Sequence, residues 1–135
     1  MNGVLVDSDV IIELLRGNEA VLGTLEFLMA KGTSLFYSPI SRAEIDQGLR
    51  PGEEGTAQEL FAQFNCIDID DDIGKRAGKY LKDWRKSHSV ELGDALIAAS
   101  AAGNKTPLFT FNRKHYPMPD IAFFNAPAKS GGPRI

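Results

Sequence analysis

Residues 3–17 read GVLVDSDVIIELLRG. The valine-rich run 3–7 ends on an acid, and an apolar helical stretch follows almost at once. An uninterrupted apolar run of this length reads as a buried strand. Ser8 and Asp9 are placed to cap a helix from Val10 to about Arg16, which Gly17 and Asn18 stop. A strand passing directly into a helix is the opening unit of an α/β layer.

The same alternation continues outward from this unit. Val21, Leu22, Leu25, Leu28 and Met29 recur at helical spacing over 19–31, up to Gly32. SLFYS at 34–38 is strand-like. Pro39 to Leu49 reads as a helix in which Ser41 and Glu44 form a capping box. Residues 51–55 are a breaker-rich turn, 56–64 a helix with Ala57, Leu60, Phe61 and Phe64 on one face, and 66–69 a strand. Asp70, Asp71 and Asp72 open an amphipathic helix over 71–87, where acids suit the positive dipole end. Ile73, Ala77, Tyr80, Leu81 and Trp84 share one face, and Lys75, Lys79, Lys82 and Lys86 line the other. That lysine stripe reads as a solvated helix face. Residues 91–103 form an alanine-rich helix ended by Gly103, and 107–110 and 120–124 are strand-like. This order predicts an α/β domain over 1–125. Its central sheet is mainly parallel, with about five short strands covered on both faces. The Pro/Gly/Ser-rich stretch 126–135 reads as a flexible tail.

Composition narrows the function. The 135 residues carry 15 Lys+Arg against 18 Asp+Glu, a net charge of −3. That balance excludes nucleic-acid binding by bulk charge, so a nucleic acid must be held by a local patch or through metal ions. Cys66 is the single cysteine, which excludes an internal disulfide and a Cys/His zinc set. No secretory signal pattern opens the chain, and no run reaches the roughly 18 apolar residues of a membrane span. The expectation is a cytoplasmic protein without membrane association.

The chemistry-bearing residues are carboxylates. Asp7 closes the first strand, at the sheet edge where ligands gather in α/β folds. Asp9 lies two residues on, at the helix start. Glu44 lies in ISRAEIDQGL, and Asp94 opens the buried helix VELGDALIAASA, with Glu91 three residues earlier on the same face. Each also has an ordinary reading as a helix cap or surface acid. Carboxylates gathered at one edge repel, which calls for raised pKa values or a bound cation. All-oxygen donors suit Mg²⁺ or a similar hard ion.

VLVDSDVIIELLRG, SRAEIDQGL, ELGDALIAASA and LFTFN, in this order, resemble the four motif regions of PIN-domain ribonucleases, most closely the VapC toxins of bacterial toxin–antitoxin pairs. The resemblance spans about residues 3–124 and implies a three-layer α/β/α PIN-like fold. It implies that Asp7, Glu44 and Asp94 form the acidic triad that holds Mg²⁺ or Mn²⁺. It places Thr110 and Asn112 at the polar positions after the fourth strand, with Asn112 orienting a water or a metal ligand. The last region departs from the pattern. Many relatives carry a fourth acid where FTFNRKHYPMPD has Asn112 and His115, leaving Asp9, Glu91 or Asp120 as substitutes.

The activity implied is metal-dependent endoribonuclease cleavage of structured cellular RNA, tRNA or rRNA, by water activated at the acidic cluster. Arg42, Arg113, Lys114 and His115 are candidates to bind flanking phosphates. No stacked-aromatic RNA platform is apparent, and Phe36, Tyr37, Phe109 and Phe111 read as core. The resemblance further implies a VapB-like antitoxin partner, toxin homodimers, and operator DNA contacted only through the antitoxin. The apolar face of helix 19–31, with Leu49, Phe61 and Phe64, suits an interface as well as a core. Two other readings stand beside this one. A PIN fold without its fourth acid can act as an inactive RNA- or protein-binding module. The D-x-D of DSDVI also fits a haloacid dehalogenase-like phosphatase.

Overall fold

The computed structural model describes residues 2–126. The tail expected over 126–135 lies outside the described residues but for Ala126. Strands β1 (Gly3–Val6), β2 (Ser34–Tyr37), β3 (Asn65–Cys66) and β4 (Leu108–Phe109) form one parallel sheet in the order β3-β2-β1-β4. Helices α1 (Ser8–Leu15) and α2 (Glu19–Ala30) carry the chain from β1 to β2, and α3 (Pro39–Gln47) and α4 (Glu54–Phe61) from β2 to β3. Helices α5 (Asp71–His88) and α6 (Leu92–Gly103) then return it to β4, on the opposite side of β1. The strand order therefore reverses beside β1, and the carboxyl end of β1 lies at the switch point where α/β sheets bind ligands.

The three layers follow from strand alternation. Val4 and Val6 enter a core with Val10, Ile11, Val21, Leu25 and Phe61, on the α1/α2/α4 side. Leu5, between them, enters the other core with Ala77, Tyr80, Ala95 and Ala98 from α5 and α6. Successive side chains of a strand point to opposite faces, so an all-apolar β1 must be covered on both. The alanines of α6 bring that helix close to the sheet, where Ala95, Ala98 and Ala99 are fully buried. Gly3 allows a close approach, since a Cβ there would collide with the Phe36 ring.

Helix ends show where local reading succeeds and where it shifts. Gly17 and Gly32 take positive φ of 88° and 83° just past α1 and α2, the left-handed geometry that ends helices. The N-cap of α1 is Asp7, whose carboxylate accepts from the Ser8 amide at 2.7 Å. Ser8 and Asp9, expected as caps, lie inside the first turn and are free to face the site. The expected Ser41–Glu44 capping box is replaced by Ser38, which accepts from the Ile40 amide at 3.0 Å. Pro39 at the first helical position is the cue, because its missing N–H is an orphan there anyway. Helix α6 has Glu91 at its N-cap and Asp94 in its first turn, so Asp94 is not the cap itself.

The sheet holds four strands, and the fifth is reduced to one parallel bridge between Leu108 and Phe123. Pro117 and Pro119 precede it, and without N–H groups they cannot extend a ladder. β3 is likewise shorter than the expected 66–69, although the Ile67 amide still bonds the Tyr37 carbonyl at 2.9 Å. Helix α5 matches its pattern, with Ile73, Ala77 and Tyr80 buried and its four lysines exposed.

Candidate active site

Asp7 is the centre of the carboxyl edge. It is 7% exposed and accepts three hydrogen bonds. Its Oδ1 takes the Ser8 amide at 2.7 Å, and its Oδ2 takes the Thr110 hydroxyl and the Tyr116 hydroxyl, each at 2.8 Å. Thr110 stands there because it follows β4, the parallel neighbour of β1. Its hydroxyl in turn accepts from the Asn112 amide at 3.0 Å, fixing the turn after the strand. Tyr116 is 4% exposed, and burial, followed by the charge of Asp7, raises its phenol so that it remains a donor.

Asp9, in the first turn of α1, accepts from the Phe111 amide at 3.1 Å through Oδ2. Its Oδ1 is buried with no hydrogen-bond partner. Burial above all, and then the charge of Asp7, push its pKa up to about 6. Asp94 approaches from α6. Its Oδ2 accepts from the Glu91 amide at 3.2 Å, and its Oδ1 lies 3.9 Å from His115 Nδ1. Burial raises the Asp94 carboxyl, and the charge of Asp7 adds to the shift, while the Glu91 amide and His115 oppose it. Asp9 and Asp94 thus each sense the charge of Asp7.

Glu44 stands on the exposed rim. Its Oε1 accepts from the Ser8 hydroxyl at 2.5 Å, and the same hydroxyl lies 2.8 Å from that of the fully buried Ser41. A Cβ on Gly93, beside Asp94, would meet Glu44 Oε2 at 3.7 Å, an ordinary contact distance that places the start of α6 next to Glu44 of α3. Among the described residues, no three His, Cys, Asp or Glu side chains converge closely enough to enclose a metal ion. The donors nevertheless fit a hard divalent cation in kind. They are all oxygens, they repel one another, and one buried carboxylate oxygen is left without a donor.

Of the sequence-predicted residues, the edge gathers Asp7, Asp9, Asp94, Thr110 and His115, with Glu44 on its rim. Glu91 contributes its amide from an exposed N-cap position. Asp120 is drawn away, accepting from Arg76 at 3.0 Å and Tyr80 at 2.8 Å. Two basic residues are tied down. Arg42 bonds Asp46 and Gln58 and lies over the Phe61 ring, 4.6 Å from its centroid. Arg113 bonds the Phe124 carbonyl and Asn125 and lies over Phe123 at 4.7 Å. Lys114 is exposed. Phe111, expected in the core, is 48% exposed, with its ring edge against the buried Phe109. Tyr116 escaped the sequence reading. A tyrosine needs a hydroxyl partner when buried, and that was the available cue.

Residues 4–121 match the PIN domain family model. The chain is a PIN-domain protein of the VapC type. Ribonuclease VapC10 of Mycobacterium tuberculosis is 38% identical over 118 residues, covering 85% of this chain and 86% of that protein. Among solved structures, this PIN domain is similar to a chain of a toxin–antitoxin complex from Klebsiella pneumoniae, at TM-score 0.71 and 25% identity. That match covers 88% of this chain and 95% of the other. A chain of VapBC2 from Rickettsia felis, bound to a DNA fragment from their promoter, shares the fold at TM-score 0.77 and 20% identity. It covers 91% and 98%. The haloacid dehalogenase-like reading is thereby corrected. The acid after β1 belongs to a PIN fold, and D-x-D alone was too short to separate the two. Among the described residues, no helix is long and apolar enough to cross a membrane.

Proposed function

We propose that this chain is a metal-dependent endoribonuclease, acting as the toxin of a toxin–antitoxin pair. One observation carries the reading. Asp7 ends at the switch point of a PIN sheet, its charge reaches both Asp9 and Asp94, and the buried Oδ1 of Asp9 has no donor. The similarity to a protein named as a ribonuclease supports the reaction class.

Asp7 and Asp94 would hold Mg²⁺ or Mn²⁺, with Glu44 directly or through water. Bound there, such an ion supplies a polarised phosphate oxygen and a water of lowered pKa. The chain's own groups do the rest. Thr110 and Tyr116 fix the Asp7 carboxylate, Ser8 steers Glu44, and Asn112 orients a water beside Thr110. His115 offsets part of the negative charge at Asp94 and meets a flanking phosphate together with Lys114. Arg42 and Arg113 serve the fold more than the substrate, because their guanidinium groups are already engaged. Structured RNA whose loops expose single-stranded bases, such as tRNA or rRNA, suits an open rim.

The partner in this reading is a VapB-like antitoxin, which alone contacts operator DNA, and the toxin forms homodimers. The net charge of −3 supports leaving DNA to a partner. A cavity of about 260 Å³ lined by Leu14, Leu22, Leu25, Met29, Leu60 and Phe64 supports an apolar contact with another protein. Phe61 and Phe64 themselves are core residues, whereas Leu22, Phe27 and Met29 of α2 are exposed. The test is induced expression in bacteria with end-mapping of cellular RNA. Growth arrest with discrete new 5′-phosphate ends, both lost with Asp94→Asn, is expected. Arrest that persists in Asp94→Asn without new RNA ends would overturn the ribonuclease assignment.

A further inference from the structure

The hydrogen bonds on Asp7 are unevenly divided between its two oxygens. A carboxylate offers about four lone-pair sites, two on each oxygen. Oδ2 accepts both hydroxyls, from Thr110 and Tyr116, each at 2.8 Å. Oδ1 accepts only the Ser8 amide. The Thr110 hydroxyl has one proton, and Asp7 Oδ2 at 2.8 Å takes it in preference to Asp9 Oδ2 at 3.5 Å. Tyr116 is 4% exposed, so water does not compete for the bond its hydroxyl donates to Oδ2. Oδ2 is therefore saturated, and Oδ1 keeps one free site.

We infer that Thr110 and Tyr116 form a hydroxyl clamp that restricts Asp7 to one-oxygen ligation through Oδ1, and so select Mg²⁺ or Mn²⁺ over Ca²⁺. The chemistry follows from the ions. Mg²⁺ demands near-octahedral geometry and binds few carboxylates, whereas Ca²⁺ takes more oxygens and accepts two from one carboxylate. A carboxylate whose second oxygen is occupied cannot serve Ca²⁺ in that way. This inference rests on the metal-dependent reading above and adds a role for two side chains that need not touch the ion. They are positioning residues, and Tyr116 has no other polar function in the site.

The test is calorimetric titration of the purified protein with Mg²⁺ and separately with Ca²⁺, without RNA. Wild type is compared with Tyr116→Phe, Thr110→Val and Thr110→Ser. Outer-shell partners of metal ligands typically change affinity by about 10–100-fold. Tyr116→Phe and Thr110→Val are expected to lower the Mg²⁺-over-Ca²⁺ affinity ratio by about tenfold. Thr110→Ser, which keeps the hydroxyl, is expected to restore the wild-type ratio. An unchanged ratio in variants that still bind ions would overturn the clamp. Failure of wild type to bind either ion would overturn the metal reading itself, and the two failures are distinct.

Discussion

The floor and the rim of the carboxyl edge are built differently. On the floor, Asp7 is buried and held by three donors, two of them on a single oxygen. On the rim, Glu44 is exposed and held by one serine hydroxyl. Their positions in the chain explain the difference. Asp7 continues a central strand, so its neighbours β4 and the 116 region enclose it. Glu44 projects from α3, which meets the site only at its edge. A preorganised floor fixes where charge is held before any ligand arrives, and a loosely held rim can follow the ligand.

The largest effect should come from breaking the floor. Asp7→Ala is expected to lower RNA cleavage on the order of a thousandfold, which corresponds to ~4 kcal/mol of barrier, measured as single-turnover kinetics. The rim should be more forgiving. Glu44→Gln keeps an acceptor for Ser8 and is expected to cost on the order of tenfold in the same assay. Equal losses in the two variants would erase the distinction between floor and rim.

Asp9 sharpens the comparison through pH. Its folded pKa of about 6 lies above the usual 3.8, so burial favours the neutral form. Stability of the ion-free protein should therefore fall as pH rises from about 4 to 6, because the folded state holds the proton longer. Asp9→Asn should remove that fall. The variant is expected to gain about 1 kcal/mol over wild type at pH 8, after allowing for partial exposure, and nothing below pH 4. Denaturant unfolding at the two pH values checks it. The smallest effect belongs to the outer rim. Lys114→Ala should weaken RNA binding slightly and reduce the salt slope by about 0.7, one phosphate on a single strand.

Much of this molecule was legible in the sequence, for reasons that also mark the limit. The GVLVD run, Gly17 and Gly32 carry local signals, and the structure places them as read. Bringing Asp7 and Asp94 to one edge needed only strand–helix alternation, since both lie where β1 ends or a helix begins. Caps were less legible, because Ser38 and Ser41 are equivalent to a pattern and only Pro39 separates them. The pairing of Asp120 with Arg76 and Tyr80, across 40 residues and more, has no local signature. Phe111 misled for a similar reason. It continues an apolar strand, but β4 stops at Phe109 and leaves the next aromatic half-exposed at the edge. The Tyr116–Asp7 bond, 109 residues apart in sequence, emerges only from the fold.

The most direct measurement is cleavage of total cellular RNA by purified, folded protein. Wild type and Asp7→Asn are run side by side, each in Mg²⁺ and in EDTA. Discrete fragments are expected from wild type in Mg²⁺ alone, and none in the other three reactions. Fragments that survive EDTA or the Asp7→Asn substitution would contradict it.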